Sequence, residues 1–163
     1  MRGDCPNFRG HHAQHGRENG TVPFGLNRES TMPATRRHFI QYHNGVLYGP
    51  PSPELVAHSD KRIDALQGQV LWVIAGQGRP RQYTLAKVFV VDEVGDLPPG
   101  EMRHYARGSV GRFFDPSIAL DGHPWFRAFR QQHANFSLGL REIHGAHILA
   151  LENLAAEHGY TLP

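Results

Sequence analysis

The sequence predicts an α+β domain: a small, curled or barrel-like, mainly antiparallel sheet with short inserted helices and a C-terminal helix. Two apolar, β-branched runs, Val70–Ala75 and Tyr83–Val94, flank a Gly-Gln-Gly-Arg-Pro cluster, which is the pattern of a β-hairpin. The 18 glycines and 12 prolines among 163 residues indicate many turns rather than a helical bundle. A last apolar stripe, followed by Gly159, predicts a helix over Gly145–His158.

The hairpin is the anchor of the predicted sheet. Its first strand is apolar without interruption, as expected of a strand covered on both faces, and Trp72 within it is predicted to be core. The second strand alternates, which predicts two sets of side chains on opposite faces. One set is Tyr83, Leu85, Lys87, Phe89 and Val91, and the other is Thr84, Ala86, Val88 and Val90.

Shorter elements are predicted before the hairpin. His38–His43 alternates as a strand does, and the Asn44-Gly45 pair that follows it is a turn signal. Ser52-Pro53-Glu54 has the N-cap, the first-position proline and the acidic first turn of a short helix. A second short helix is predicted to begin at Ser59-Asp60.

Strand segments and one more helix are predicted after the hairpin. Met102–Arg107 is one segment, and the chain continues in a second from Gly108 to Phe114, with a turn at Asp115-Pro116. A helix is predicted to begin near His123-Pro124, with Pro124 at its first position.

Residues 1–31 differ in composition from the rest of the chain. They are rich in Gly, Asn, Arg and His, have few aliphatic residues and show no periodicity, so they bury too little apolar surface to offset their ordering entropy. We expect a disordered tail, or an over-extended start, before a single domain over residues 32–163. The segment has no apolar core of a signal peptide. Deleting it is expected to leave thermal stability unchanged.

Composition favours the cytoplasm and restricts the partners. No run approaches the roughly 18 apolar residues of a membrane span, so no membrane partner is predicted. A single cysteine, Cys5, cannot form an internal disulfide, which is typical of a reducing compartment. The formal net charge is only +2, although 15 arginines stand against 2 lysines. So small a charge supplies little steering toward nucleic acid.

The chain contains no recognisable catalytic motif. Phosphate-binding loops, nucleophile elbows and zinc spacings are missing from the sequence, so no catalytic residue, metal or cofactor is predicted. A small hydrolase or nuclease would have to use His38 or His43 with Asp92 or Glu93, and no constellation of these satisfies a mechanism.

Four segments carry a combined pattern: RHFIQYHN, the run from SPELVAHSDKRIDALQ to GQVLWVIAG, a hairpin ending in FVVDEV, and a later PWF motif. Together they resemble the PUA-like superfamily, and within it the EVE-type modules that read modified bases. The resemblance covers about Arg36–Ile143. GQVLWV matches a strand that reads G-D-x-V-L-F/W in such families, with Gln69 in place of the aspartate. The resemblance implies a small curled sheet with helices at its rim and binding of DNA or RNA, often through an extruded modified base held between aromatics.

Aromatic and arginine residues near predicted turns define the candidate binding site. The candidate ligand-binding residues are Gln41, Tyr42, Asn44, Trp125, Arg36 and Arg37. Trp125 or Tyr42 would stack a base, and Gln41 or Asn44 would read its edge as donor and acceptor. Arginine forks bind phosphates, as does the helix N-terminus set by Pro124. We therefore expect the ligand surface where the segment 121–126 meets the strand 38–43.

Three classes of function stay open. A nucleic-acid-binding module that reads a modified or extruded base is favoured, because stacking groups and edge-reading amides occur together. The alternatives are the small hydrolase or nuclease with a histidine-based site and an interaction domain without a ligand. The sequence predicts neither the type of nucleic acid nor an oligomeric state.

Overall fold

The computed structural model describes residues 35–100, 102–137 and 139–163. Its elements are β1 His38–Asn44, α1 Gly45–Tyr48, β2 Val56–Ser59, β3 Val70–Gln77, β4 Gln82–Val90, β5 Glu93–Asp96, β6 His104–Arg107, β7 Val110–Ala119, α2 Phe126–Gln132, β8 Arg141–Ile143 and α3 Ala146–Glu157. The predicted α+β class and the C-terminal helix are confirmed. The predicted tail, residues 1–31, lies outside the described residues.

The strands form two sheets. A five-stranded sheet has the order β7-β4-β3-β1-β8, and a three-stranded sheet has the order β2-β6-β5. Every neighbouring pair is antiparallel except β1 and β3, which run parallel. The sheets are therefore mainly antiparallel, as predicted, and within the described residues neither closes into a barrel.

The predicted hairpin is present as β3 and β4, but its second strand ends at Val90 rather than Val94, because Glu93–Asp96 pairs with β6 in the small sheet. The hairpin separates two hydrophobic cores. Successive residues of a strand face opposite sides, so Trp72 and Ile74 enter one core while Leu71 and Val73 enter the other. The first, which we call the helix-side core, includes Phe126 and Phe129 of α2 and Leu151 and Leu154 of α3. The second, the small-sheet core, includes Ala57 of β2 and Ala106 of β6. The strand β3 is thus buried on both faces, as predicted.

A β-bulge in β4 changes the predicted division of its faces. Val73 pairs with Lys87, whereas the next residue, Ile74, pairs with Leu85, so Ala86 is the extra residue. Beyond the bulge, Val88 faces the helix-side core together with Leu85. The predicted strict alternation along β4 is therefore wrong, because one inserted residue reverses which side chains share a face.

The helix predicted at Ser52-Pro53-Glu54 is wrong. The segment is non-helical and leads directly into β2. The buried ammonium of Lys87 accounts for this, because it donates to the carbonyls of Ser52, Glu54 and Val56 at 2.9, 2.7 and 2.8 Å. In a helix these oxygens would be directed to backbone N–H groups instead.

Other boundaries also differ from the predictions. Ser59 ends β2, and the second predicted helix is only a 3₁₀ turn over Asp64–Leu66. Strand β7 continues through Asp115-Pro116, although its pairing with β4 passes from Phe113 directly to Ile118. Because β7 is an edge strand, it tolerates a proline that cannot donate to the ladder.

Candidate functional site

A cavity of about 260 Å³ lies against the β1 strand of the large sheet and the β2 strand of the small sheet. Three of the residues predicted from the sequence line it: Gln41, Tyr42 and Asn44. The wall also includes His43, Tyr48, His58 and Lys87.

Strand geometry determines which β1 side chains face the cavity. Gln41 and His43 share a face with Phe39, which belongs to the small-sheet core. The ring of Tyr42 lies on the opposite face and packs against the helix-side core. It stacks on Phe136 with ring centroids 5.8 Å apart and an interplanar angle of 12°. Tyr42 is therefore not available to stack a ligand in the cavity.

Three cavity side chains are fixed by hydrogen bonds to the backbone. The amide nitrogen of Gln41 donates to the carbonyl of His58. Nε2 of His43 lies 2.8 Å from the carbonyl oxygen of Gly49. Oδ1 of Asn44 accepts from the N–H of Val46 at 3.2 Å and thereby caps α1. These contacts hold the wall of the cavity in one arrangement.

Lys87 places a buried cation in the wall of the cavity. Its side chain is 3% exposed in a strand of apolar neighbours, and the bulge at Ala86 precedes it. Burial lowers the pKa of Lys87 from 10.5 to about 8, and the carboxylate of Glu54 partly opposes the effect. The ammonium donates to three carbonyls of the segment 52–56, so it fixes the loop that covers the cavity.

His58 contributes an imidazole that is neutral under ordinary conditions. Its pKa is lowered first by partial burial and then by the charge of Lys87, with Glu54 acting in the opposite direction. A neutral imidazole carries one donor and one acceptor nitrogen. The site therefore contains amide and imidazole groups together with the ammonium group of Lys87, whose N–H groups already donate to three backbone carbonyls.

The rim of the cavity is apolar and exposed. Helix α1 presents Val46, Leu47 and Tyr48 to solvent with 47%, 70% and 47% of their surfaces exposed. The Tyr48 ring is also part of the cavity wall and lies 6.2 Å from the ring of His43. Isolated exposed apolar residues are common, but a group beside a cavity is typical of a contact surface.

Basic residues lie at the same end of the large sheet. Parallel pairing places Asn44 opposite Gly76, so the end of β1 lies beside the turn between β3 and β4. That turn carries the exposed residues Arg79 and Arg81. The guanidinium of Arg81 lies 5.9 Å from the centre of the Tyr42 ring. The cavity, the apolar rim and Arg79 thus lie at one end of the large sheet, whereas the Arg81 guanidinium lies over the Tyr42 ring on the opposite face.

Trp125, Arg36 and Arg37 are not brought to this cavity. Trp125 lies 5.7 Å from His123, and both line a separate groove of about 380 Å³ along α3. Pro124 precedes α2, which begins only at Phe126.

Arg36 and Arg37 precede β1, whose seven residues extend roughly 20 Å. Arg36 donates to the carbonyl of Pro163 at 2.7 Å, and Arg37 pairs with Glu142.

The residues considered for a hydrolase or nuclease have other partners. Nδ1 of His38 accepts from the indole N–H of Trp72 at 3.1 Å, on the face of β1 opposite His43. Asp92 accepts from the N–H and the hydroxyl of Ser109, both at 2.6 Å. Glu93 accepts from the hydroxyl of Tyr105. Neither histidine contacts either carboxylate, and the described residues contain no group of three potential metal ligands.

Sequence reasoning identified Gln41 and Asn44 but missed Tyr48, His58 and Lys87. A lone lysine in an apolar strand was an available signal, because a buried cation needs several acceptors. In the part of the chain that the structure describes, no helix is both long and apolar enough to cross a membrane. No protein-family model matches the sequence, and no curated protein matches it either.

Proposed function

We propose that this domain is a nucleic-acid-binding module that reads a modified or extruded base of DNA or RNA. The observation that carries the proposal is the cavity walled by Gln41, His43 and Asn44 and bordered by the exposed ring of Tyr48. Its volume of about 260 Å³ is just below the range of pockets for drug-sized ligands, roughly 300–1,000 Å³, which suits a small planar group.

The rim supports binding of a base that has left its stack. Extrusion costs a few kcal/mol, and less for a single-stranded or mismatched base. Stacking on an aromatic side chain contributes about 1–3 kcal/mol per base. Tyr48 supplies such a ring at the mouth, and Leu47 beside it offers an apolar contact to the neighbouring base. Single-stranded substrates are therefore expected to bind best.

The charge at the mouth suits a phosphate backbone. Arg79 is exposed on the turn beside Asn44, where its guanidinium group is able to contact a phosphate. The proposal retains the resemblance to PUA-like, EVE-type modules, with the large sheet and the small sheet as their curled sheet, and it retains action in the cytoplasm.

A salt-dependent gel shift with single-stranded oligonucleotides tests the proposal. Tyr48→Ala is expected to weaken binding by roughly 5- to 150-fold, the equivalent of one lost stacking contact. Arg79→Ala is expected to reduce the slope of log affinity against log salt by about 0.7, the value for one phosphate contact on a single strand.

Leu149→Ala is the matched control for the gel shift, because Leu149 is 61% exposed on α3, outside the cavity wall. It is expected to bind as the parent does. Equal binding by Tyr48→Ala and Leu149→Ala would contradict the proposal. So would a parent protein that binds no oligonucleotide, modified or unmodified, above the non-specific level.

A further inference from the structure

We infer that the cavity selects a base whose edge presents two N–H donor groups, which among the common bases is guanine. The inference rests on the proposed function and adds the class of base. It follows from the hydrogen-bonding capacity that two fixed side chains on one face of β1 retain after their contacts within the protein.

Gln41 retains an acceptor. Its amide nitrogen donates to the carbonyl of His58, and a carbonyl oxygen only accepts. The reverse orientation would place two oxygens against each other, so the amide cannot turn over. Oε1 is consequently the group that Gln41 offers to a ligand in the cavity.

His43 also retains an acceptor. Nε2 lies 2.8 Å from the carbonyl oxygen of Gly49, so Nε2 carries the proton. In the neutral imidazole the other nitrogen, Nδ1, is then an acceptor. Gln41 and His43 are two residues apart on one face of β1, so their acceptors project from the same side of the strand.

Asn44 also retains donors, because its Oδ1 accepts from the N–H of Val46 at 3.2 Å. Strand alternation places its side chain on the face of β1 opposite Gln41 and His43, so these donors do not enter the match. Lys87 adds no donor, because its ammonium donates to three backbone carbonyls. A neutral His58 offers one donor and one acceptor nitrogen, so it does not change the balance.

The bases differ in how they match two acceptors. The Watson–Crick edge of guanine carries an acceptor oxygen, a ring N–H and an exocyclic amino group. Adenine and cytosine have one donor group each, and uracil and thymine have one donor between two acceptors. Guanine alone brings a donor group to both acceptors, whereas each other base leaves at least one acceptor of the protein without a donor, which is costly in a desolvated site.

Comparison of two nucleotides that differ by one group is the direct test. Inosine monophosphate is guanosine monophosphate without the exocyclic amino group. Both are titrated into the full-length protein by NMR, with the adenosine, cytidine and uridine monophosphates alongside. All titrations are done at one fixed pH. We expect inosine monophosphate to bind roughly 5- to 150-fold more weakly than guanosine monophosphate, the discrimination of one well-formed base contact.

Variants assign the preference to the cavity. Gln41→Met and His43→Phe each remove one acceptor, and in at least one of them the ratio of guanosine to inosine affinity is expected to fall toward one. Trp125→Ala, in the other groove, is expected to keep the parent ratio. Equal binding of the two nucleotides by the parent, or preference for any other base, overturns the inference without any variant.

Measurements of oligonucleotide binding distinguish a failure of the base preference from a failure of the proposed function. Binding of oligonucleotides that depends on Tyr48, with no preference for guanosine over inosine monophosphate, would refute the base preference and leave the function standing. A guanosine preference without any oligonucleotide binding would refute the function and leave the preference standing. Binding of neither nucleotides nor oligonucleotides would refute both.

Discussion

At the scale of single residues, Lys87 holds the segment 52–56 in place beside the cavity. The bulge at Ala86 places it on the face of the small-sheet core, where its ammonium collects three carbonyls of the segment 52–56. Those carbonyls are the acceptors that a buried cation requires. One side chain thereby replaces a helix that the local sequence favours with an extended segment that covers the cavity.

Replacing Lys87 by methionine is expected to lower the free energy of unfolding at pH 7 by about 1–3 kcal/mol, because three carbonyls lose their donor. The parent should show a pH dependence that the variant lacks. The folded pKa of Lys87, about 8, lies below the unfolded value of 10.5. Between these values the unfolded chain holds more protons, so the stability of the parent rises with pH.

The free energy of unfolding of the parent, relative to that of Lys87→Met, therefore increases from about pH 8 toward pH 10.5, by up to about 3 kcal/mol. Below pH 8 the penalty of the buried charge is fully present, and it is relieved as the pH rises. Urea unfolding at several pH values measures the difference. A constant difference across this range would show that Lys87 keeps its ordinary pKa.

Tyr42 provides a second test at this scale, because its hydroxyl is buried and finds no hydrogen-bond partner among the described residues. Removing an unpaired buried hydroxyl relieves its desolvation cost. Tyr42→Phe is therefore expected to raise the free energy of unfolding by about 1 kcal/mol and to leave oligonucleotide binding unchanged. Tyr48→Phe, at an exposed ring, is the control and should not alter stability. Loss of binding in Tyr42→Phe would show that this hydroxyl contacts the ligand.

At the scale of elements, the β3–β4 hairpin was predictable because its pattern is local. An uninterrupted apolar run and Gly/Pro punctuation predict a strand buried on both faces, and β3 confirms it. The bulge was not predictable, because Ala86 is the same residue type that continued alternation would accept. The false helix at Ser52 shows the same limit: its capping signals were local, whereas the contact with Lys87 that prevents it spans 35 residues.

Substitution of Trp72 tests how much a buried side chain of β3 contributes to the stability of the fold. Its side chain is fully buried, and its indole N–H donates to His38. Trp72→Ala is expected to cost about 3–5 kcal/mol of unfolding free energy, as for large cavities in well-packed cores. Trp125→Ala is the control and should cost less, because Trp125 is only partly buried at the margin of the same core. In urea unfolding, a loss for Trp72→Ala that is no larger than the loss for Trp125→Ala would contradict this expectation.

At the scale of the whole molecule, the large sheet separates two surfaces that the sequence alone combined into one. Gln41 and Asn44 belong to the cavity against the small sheet, whereas Trp125 belongs to the groove along α3. Strand alternation gives the orientation of each β1 side chain. It does not give which face α2 covers, and for that reason Trp125 was expected beside the first strand. Residue types for a site were therefore predictable, and their assembly was not.

The most direct test of the central claim is to map the ligand surface by NMR. Backbone amide shifts of the full-length protein are recorded while a short single-stranded oligonucleotide containing guanine is added. We predict that the perturbed residues are those of the cavity and its rim, Gln41–Tyr48, His58 and Arg79–Arg81, with the groove of His123, Trp125 and Leu149 unaffected. Perturbations confined to the α3 groove, or none at saturating oligonucleotide, would contradict the account.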